Sequence, residues 1–227
     1  AARYGLTLCQ WTAQNLDLAL QQQAGKKTSL ERIGGDLDRL FVESNSADAF
    51  KLLLDWKVIG LWFPSLKTPK LFCSWLNRTE RTLRSTWILL ATLLNEQDRV
   101  TFKRLVSRHR GLQNDFVSVP KIIDTLPSKL EQTQDRGAWG NWLSTLDSKY
   151  LCVLELMCSE TSSKAVQWWL KEGQDIKTKI NAHILIKRGC SRGPLLGKAL
   201  QAAQKSAWRG ENETLQLIAA EQLWKIG

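Results

Sequence analysis

The chain has 227 residues, 43% of them hydrophobic and 24% charged, and its formal net charge is +10 at pH 7. These proportions are ordinary for a globular protein and exclude a chain that is disordered throughout. The positive balance favours a phosphate-rich partner such as nucleic acid, because each phosphate that a basic side chain neutralises releases counterions. A solvated basic surface without a partner would give the same balance, so charge alone leaves both interpretations open.

The cysteine and histidine patterns favour neither a metal site nor a disulfide framework. The five cysteines are irregularly spaced and form no C-x-x-C pair, and the two histidines, His109 and His183, are far apart in the sequence. Reduced thiols in a cytoplasmic protein are the simplest interpretation. The longest apolar run, residues 87–94, is too short to span a bilayer, and no signal peptide is visible. We therefore expect a cytoplasmic protein with no membrane partner.

Apolar residues recur at helical spacing in the first part of the chain. One helix follows Trp11, and a second begins at Thr28, where Thr28 and Glu31 have the spacing of a capping box. A third helix ends at Gly60, and Phe63-Pro64 marks a boundary after it. The positions expected to pack this segment are Ile33, Leu37, Leu40, Leu53 and Trp56.

Helical spacing continues through the rest of the chain. Apolar stripes begin near Trp87 and Trp139, and a short helix ends before Pro127. Polar segments, residues 111–115 and 159–163 among them, separate the helices. Because no segment alternates with period two, the predicted fold class is all-α, with about ten or more helices and no sheet.

The segment from residue 164 to residue 209 is strongly basic. Ten of its residues are Lys or Arg and two are acidic, which is typical of an interaction surface. It contains glycines at 189, 193 and 197, and Pro194 suits the first position of a helix, so a glycine-rich turn that leads into a helix is predicted. Such a turn can bind phosphate, or it can simply be a tight connection. The candidate phosphate contacts are Lys187, Arg188, Gly189, Arg192, Gly193, Lys198, Lys205 and Arg209.

A second basic cluster lies between residues 99 and 110, a stretch without any acidic residue. Lys103, Arg104 and Arg108 are its candidate RNA contacts, with Arg99 and Arg110 at its ends. A solvated helix face explains this cluster equally well. A weaker group consists of Arg78, Arg81 and Arg84.

One acidic pair, Asp36 and Asp38, has the D-x-D spacing that nucleotidyl transfer uses on a strand, where both carboxylates point at the metal ions. Here the pair falls in a helical pattern. Two residues along a helix rotate the side chains by about 200°, so the carboxylates diverge. Both are therefore interpreted as surface residues, and no catalytic residue and no metal ligand is assigned in this chain.

Four stretches resemble the class II tRNA nucleotidyltransferases and bacterial poly(A) polymerases. Residues 1–6, AARYGL, are similar to their A-A-R-x-G-F stretch, and residues 61–66, LWFPSL, to the L-F-P-E-L end of their neck. Residues 29–33, SLERI, with Asp36, Leu37 and Leu40, resemble the neck helix S-x-E-R-I-x-x-E-L. Residues 180–197 resemble the tail pattern, in which I-x-G-x-D-L leads to G-x-x-x-G-P-x-x-G. Gly34-Gly35-Asp36, Ala182 and Ile184 depart from these patterns.

The resemblance implies an architecture of head, neck, body and tail. In this chain it implies a neck over 1–64, a helical body over 65–160 and a basic helical tail over 161–227. The head, with its metal-binding acids, Mg²⁺, ATP and CTP, would lie upstream of residue 1, so no cofactor is expected here. The implied partner of body and tail is the acceptor and TΨC side of tRNA, and Arg3, Glu31 and Arg32 would support the nucleotide pocket.

The resemblance thus implies the tRNA-binding C-terminal part of a template-independent RNA nucleotidyltransferase that adds CCA, A or CC to tRNA 3′ ends. Two alternatives remain: a non-enzymatic helical module for RNA or protein, and the C-terminal part of a poly(A) polymerase. Because the catalytic acids would lie in the head, the isolated chain is expected to add no nucleotide.

Overall fold

The protein is helical throughout the part of the chain that the structure describes. A computed structural model describes residues 1–109 and 114–225, and these residues form thirteen α-helices and no strand, which confirms the predicted all-α class. No helix within these ranges is both long and apolar enough to cross a membrane. The helices are α1 (Gln10–Gln21), α2 (Leu30–Val42), α3 (Ser46–Asp55), α4 (Pro69–Leu76), α5 (Leu83–Thr92), α6 (Glu96–Leu105), α7 (Asp115–Glu131), α8 (Arg136–Leu143), α9 (Leu151–Met157), α10 (Glu160–Trp168), α11 (Ala182–Lys187), α12 (Pro194–Trp208) and α13 (Glu213–Lys225).

The helices form two compact units, Ala1–Asp124 and Thr125–Gly227, and the boundary between them falls inside α7. Short 3₁₀ turns cover Ala2–Tyr4, Ala24–Lys27, Ile59–Leu61 and Ser148–Tyr150, and a π-helical turn covers Trp169–Gly173. The division into neck, body and tail that the resemblance implies stays a prediction.

The first unit is built around α5, whose residues are buried from Ser85 to Thr92. The ring of Trp87 lies edge-on to Phe41 at 5.0 Å and to Phe102 at 5.4 Å between ring centroids. Such edge-to-face pairs add about 0.5–1.5 kcal/mol beyond the area that they bury. Residues 87–92 of the apolar run therefore belong to a central helix that is covered on all sides, and Leu93 and Leu94 follow its end.

The helix α2 begins one residue later than the sequence indicated. Its cap is Ser29, whose Oγ accepts a hydrogen bond from the N–H of Arg32 at 3.3 Å, so the predicted Thr28 cap is wrong. Both residues have a hydroxyl, and the 3₁₀ turn over Ala24–Lys27 places Ser29 at the helix start. Of the predicted core positions, Ile33 and Leu37 are buried. The other three, Leu40, Leu53 and Trp56, are partly buried.

The helices α2 and α6 approach each other closely because α2 carries no side chain at their contact. A Cβ atom added to Gly34 would lie 2.0 Å from the backbone oxygen of Leu105. One added to Gly35 would lie 2.1 Å from a terminal nitrogen of Arg108. This contact gives the Gly34-Gly35 pair, a departure from the related pattern, a structural reason.

The helix α7 passes through Pro120 and Pro127, so the predicted end before Pro127 is wrong. A proline inside a helix removes one hydrogen bond and normally breaks or kinks it. Here Phe116, Ile123 and Leu130, spaced seven residues apart, are all buried, and their packing outweighs that penalty.

Two predicted polar breaks differ in outcome. The break at 159–163 exists but is shorter than predicted: Cys158 and Ser159 separate α9 from α10, and the Oγ of Ser159 caps α10 by accepting a hydrogen bond from the N–H of Ser162. The break at 111–115 lies mostly in residues 110–113, outside the described residues, and α7 begins at Asp115.

The second unit packs α8 and the π-helical turn against the end of α12 through glycines and tryptophans. A Cβ atom on Gly140 would lie 2.3 Å from the ring of Trp208, and the indole N–H of Trp208 donates to the carbonyl oxygen of Gly173 at 3.0 Å. The ring of Trp169 lies edge-on to Trp208 at 5.6 Å. This aromatic contact fixes the end of α12, and α13 packs along the rest of that helix.

Candidate nucleic-acid interface

The glycine-rich segment forms the turn between α11 and α12. Gly189, with φ at 99°, ends α11: its N–H donates to the carbonyl oxygen of Ile186, and the N–H of Cys190 donates to that of Leu185, both at 3.0 Å. This is the Schellman pattern of helix ends, which requires a left-handed residue. Gly193, with φ at 127°, precedes Pro194, the first residue of α12. The predicted turn that leads into a helix is thus confirmed.

A small apolar core holds this turn in place. Leu185 and Cys190, the two ends of the Schellman pattern, are buried in it together with Ala199 and Ala203 of α12 and Ala220 of α13. The small alanine side chains let α12 and α13 pack closely against each other beneath the turn. The backbone of the turn is therefore held in a defined conformation.

The surface of the turn is bare. Cβ atoms added to Gly189, Gly193 and Gly197 would meet no atom within 4 Å among residues 1–109 and 114–225. The first two glycines are required by their positive φ, but Gly197 lies inside α12, where glycine costs about 1 kcal/mol relative to alanine. No contact within the described part of the protein explains that cost. The backbone of Gly197 is exposed to solvent.

Cations surround this bare surface. Lys187, Arg192 and Lys198 are exposed, and none of them has an ion-pair partner within 4 Å among residues 1–109 and 114–225. Arg188 pairs with Glu221 of α13 at 3.1 Å and remains half-exposed. The turn therefore combines accessible backbone with at least three cations whose charge no carboxylate in the described chain neutralises.

The other two candidates of the basic segment lie elsewhere. Lys205 and Arg209 are at the far end of α12, about 10 Å or more from Lys198 at 1.5 Å per residue. Arg209 donates two hydrogen bonds to Asp135, at 2.8 and 2.9 Å, and these bonds hold the pKa of the Asp135 carboxyl below its usual value. The structure thus divides the predicted set, and we define the bare turn as residues 187–198.

The second predicted cluster, on α6 and just after it, also divides. Lys103 and Arg104 are exposed, whereas Arg108 pairs with Asp38 at 3.3 Å. Arg99 donates to the carbonyl oxygens of Ala91 and Thr92 and pairs with Asp124 at 2.8 Å. Arg110 lies outside the described residues.

The acidic pair of α2 behaves only partly as predicted. Asp36 is exposed and pairs with Arg39, but Asp38 is buried, so its interpretation as a surface residue is wrong. Its carboxylate accepts a hydrogen bond from the indole N–H of Trp87 at 2.7 Å and lies 3.0 Å from the Nε2 of His109. The two carboxylates diverge, and the described residues contain no group of three or more potential ligands that fits a metal ion.

The residues implied to support a nucleotide pocket lie near the start of the chain. Arg3 pairs with Glu43 at 2.6 Å, and that hydrogen bond raises the pKa of its guanidinium. Glu31 and Arg32 are exposed in the first turn of α2. The structure gives these three residues no common site.

The weaker arginine group has internal roles. Arg81 donates to the carbonyl oxygens of Phe41, Glu43 and Leu76, at the ends of α2 and α4, and burial lowers its pKa. Arg78 pairs with Glu80, and Arg84 pairs with Asp115. Sequence analysis missed two other basic residues, Lys26 and Lys27, which line a cleft at the start of α2. Their only sequence signal is adjacency to a helix cap.

The chain matches no protein-family model and no curated protein sequence. It does match solved structures of CCA-adding enzymes. The Thermotoga maritima CCA-adding enzyme complexed with tRNA(CCA) matches with a TM-score of 0.73 and 18% identity over 97% of this chain and 58% of that chain. A CCA-adding enzyme complex with ATP matches with a TM-score of 0.73 and 19% identity over 99% of this chain and 58% of the other. A complex with CTP matches with a TM-score of 0.71 and 18% identity, over 99% and 57%.

At this level of identity the matches concern the fold. The chain spans a little under three fifths of the length of the structures that it matches, and nearly all of it is included. The resemblance predicted from residues 1–6, 29–40, 61–66 and 180–197 is therefore confirmed for the fold, which is the helical fold found in CCA-adding enzymes.

Proposed function

We propose that this chain is the tRNA-binding part of a template-independent RNA nucleotidyltransferase that adds CCA, A or CC to tRNA 3′ ends. The observation that carries the proposal is the bare turn, residues 187–198, with its accessible backbone and surrounding cations. The shared fold supports it, since one structure with that fold is a CCA-adding enzyme complexed with tRNA.

The bare turn suits a phosphate backbone. Phosphate oxygens accept hydrogen bonds from Arg and Lys, and the lack of side chains at Gly193 and Gly197 lets them approach the turn. The cations would make these contacts, because Pro194 has no N–H and the N–H groups of Leu196 and Gly197 already donate to the carbonyl oxygen of Gly193. Double-stranded RNA is bound mainly through its shape and its phosphates, because its deep groove hides the base edges. The turn should therefore bind tRNAs with little regard to sequence.

The chemistry of nucleotide addition would come from a part that this chain does not contain. Asp36 and Asp38 diverge, so they cannot hold the metal ions of nucleotidyl transfer together. Within the proposal, the acids, the Mg²⁺ and the ATP and CTP sites belong to the head that the resemblance implies. The role of this chain is to hold the substrate RNA.

The test compares Gly197→Ala with Arg192→Gln/Lys198→Gln in salt titrations of tRNA binding. The new methyl group of Gly197→Ala meets no atom of the described residues within 4 Å, so it should stabilise α12 by up to about 1 kcal/mol while it weakens tRNA binding. Each lost cation should flatten the log–log salt slope by roughly 0.7–0.9 and weaken all tRNAs alike. Lys51→Gln/Lys70→Gln, on α3 and α4, is the charge-matched control.

The proposal fails if Gly197→Ala and Arg192→Gln/Lys198→Gln both keep the affinity and the salt slope of the control. Thermal unfolding of each variant, followed by circular dichroism, shows that a loss of binding is not a loss of fold. A loss that depends strongly on tRNA sequence would also contradict phosphate recognition.

A further inference from the structure

Three adjoining clefts form a groove on the first unit, beside α2, α6 and α7. The first, of about 520 Å³, lies at the start of α2 and is lined by Lys26, Lys27 and Arg104. The second, of about 290 Å³, is lined by Arg104 and Lys103, and the third, of about 220 Å³, by Lys103 and Lys121. Arg104 lines the first and second clefts and Lys103 lines the second and third, so the three clefts adjoin in that order. We call them the α6 groove.

The charges along the α6 groove are predominantly positive. Lys26, Lys27, Lys103 and Arg104 are exposed, and none has an ion-pair partner within 4 Å in the described ranges 1–109 and 114–225. Six cations and three acids line the groove, which gives a formal charge of +3, or +2 when Arg99, which is paired with Asp124, is set aside. The lining residues are Lys26, Lys27, Arg99, Lys103, Arg104 and Lys121 against Glu31, Glu96 and Asp98.

The acids do not cancel the charges of Lys26, Lys27, Lys103 and Arg104. Asp98 is buried, and its carboxylate accepts hydrogen bonds from the N–H of Ser65 at 2.9 Å and from the Ser65 hydroxyl at 2.5 Å. Glu31 and Glu96 lie in the first turns of α2 and α6, where a negative charge is favoured by the helix dipole. Only Asp98 is therefore engaged inside the protein, and the exposed Glu31 and Glu96 are outnumbered by Lys26, Lys27, Lys103 and Arg104 on the surface of the groove.

We propose that the α6 groove binds a single-stranded segment of RNA through its phosphates. A duplex carries its phosphates on a broad convex surface that cannot enter clefts of this size, whereas a single strand can follow them from Lys26 to Lys121. Single-strand sites combine a basic groove with aromatic side chains, and the partly exposed Trp62 lines the first cleft beside Lys26 and Lys27.

This inference stands apart from the bare turn. The bare turn is an open surface on the second unit and is suited to a duplex, whereas the α6 groove is concave and belongs wholly to the first unit. Either contact can exist without the other. The experiment is therefore designed so that the two can fail separately.

The experiment measures the binding of two probes to the full chain: a short unstructured RNA oligonucleotide and an RNA duplex of the same length. The groove variants are Lys26→Gln/Lys27→Gln and Lys103→Gln/Arg104→Gln. At about 0.1 M salt, each phosphate contact of a single strand contributes about 0.7 log unit to the binding constant. Loss of one cation should therefore lower the affinity for the single strand about fivefold, and each double variant should lower it about 25-fold. Duplex binding should not change.

Two controls decide the interpretation. Lys51→Gln/Lys70→Gln, with the same change in net charge but outside the groove, should leave both probes unaffected. Arg192→Gln/Lys198→Gln should weaken binding of the duplex and leave binding of the single strand unchanged. If this variant binds both probes normally while the groove variants lose single-strand binding, the proposal for the α6 groove is supported and the proposal for the bare turn is refuted. Photo-cross-linking of a thiouridine-labelled strand should label peptides that contain Lys26, Lys27 or Lys103.

The proposal is overturned if the groove variants bind the single strand as the control does, or if they lose both probes equally. It is also overturned if ATP displaces the strand at concentrations comparable to that of the strand, because the groove would then be a mononucleotide site. Unchanged thermal unfolding of the variants confirms that each result reports on binding.

Discussion

Gly34→Ala tests the close approach of α2 and α6 most directly. The new Cβ atom would lie 2.0 Å from the oxygen and 2.9 Å from the carbon of the Leu105 carbonyl. Both are backbone atoms, so no side-chain rotation relieves the clash and the two helices must separate by more than about 1 Å, given that carbon and oxygen meet at about 3.3 Å. Leu105 is completely buried, so α6 cannot move without disturbing the core.

The expected cost follows from two opposing effects. Overpacking a well-packed interior typically costs about 1–3 kcal/mol and occasionally more, and this rigid contact belongs at the upper end. Alanine recovers up to about 1 kcal/mol of helix propensity. The net loss should be about 2 kcal/mol, which lowers the unfolding midpoint of the first unit by about 8 °C at the usual unfolding entropy per residue.

Two other glycine-to-alanine variants calibrate this result. The Cβ atom of Gly35→Ala would meet the far end of the exposed Arg108 side chain, which can rotate away at the expense of its 3.3 Å pair with Asp38. Its cost should therefore be smaller than that of Gly34→Ala. The Cβ atom of Gly197→Ala would meet no atom within 4 Å in the part of the chain that the structure describes, and this variant should be slightly more stable than the parent.

Urea titration and thermal unfolding, both followed by circular dichroism, measure this series. The expected order of stability, from lowest to highest, is Gly34→Ala, Gly35→Ala, the parent chain, Gly197→Ala. The reasoning is refuted if Gly34→Ala unfolds within about 0.5 kcal/mol of the parent, the range of an ordinary surface substitution.

Two further predictions concern titrating groups. Arg209→Gln should destabilise the fold by up to about 1 kcal/mol at neutral pH, because the pair is partly exposed. Arg209 lowers the pKa of Asp135 in the folded state, so this stabilisation is full above the unfolded pKa of about 3.9 and is lost as pH falls through the lower folded value. In urea titrations, the free energies of unfolding of the parent and of Arg209→Gln should therefore converge at low pH. A difference between them that stays constant with pH would contradict this prediction. Iodoacetamide should modify the exposed Cys9 before Cys158, because the hydrogen bond with Thr12 lowers the pKa of the Cys9 thiol and burial raises the pKa of the Cys158 thiol. Thr12→Val should slow the reaction of Cys9. Mass spectrometry that finds Cys158 modified first would contradict the prediction.

The sequence predicted the structure correctly where a residue type has a strong backbone preference. Gly189 and Pro194 each have a backbone preference that few positions satisfy, so the turn before α12 could be predicted, and the structure has it there. Apolar spacing likewise sufficed for the all-α class. These inferences depend on local geometry, which neighbouring residues determine.

The sequence was less informative where distant packing decides. Pro127 predicts a helix end locally, yet buried residues on both sides of it hold α7 together. In the sequence, Asp38 resembles a surface carboxylate. In the structure it is buried, because the indole N–H of Trp87, 49 residues away, donates a hydrogen bond to it. Whether Arg108 or Arg209 is available to a ligand similarly depends on carboxylates that are remote in the sequence.

The glycines that face tryptophan rings have an evolutionary consequence. Gly140 leaves room for Trp208, and Gly173 leaves room for Trp168 and Trp169. A larger side chain in place of either glycine would clash with a tryptophan ring, and a smaller side chain in place of the tryptophan would leave a cavity. Either single substitution therefore gives a less stable protein. Such positions can change only in compensating pairs. Lineages that descend from this fold should therefore inherit each glycine and its tryptophan together or lose both.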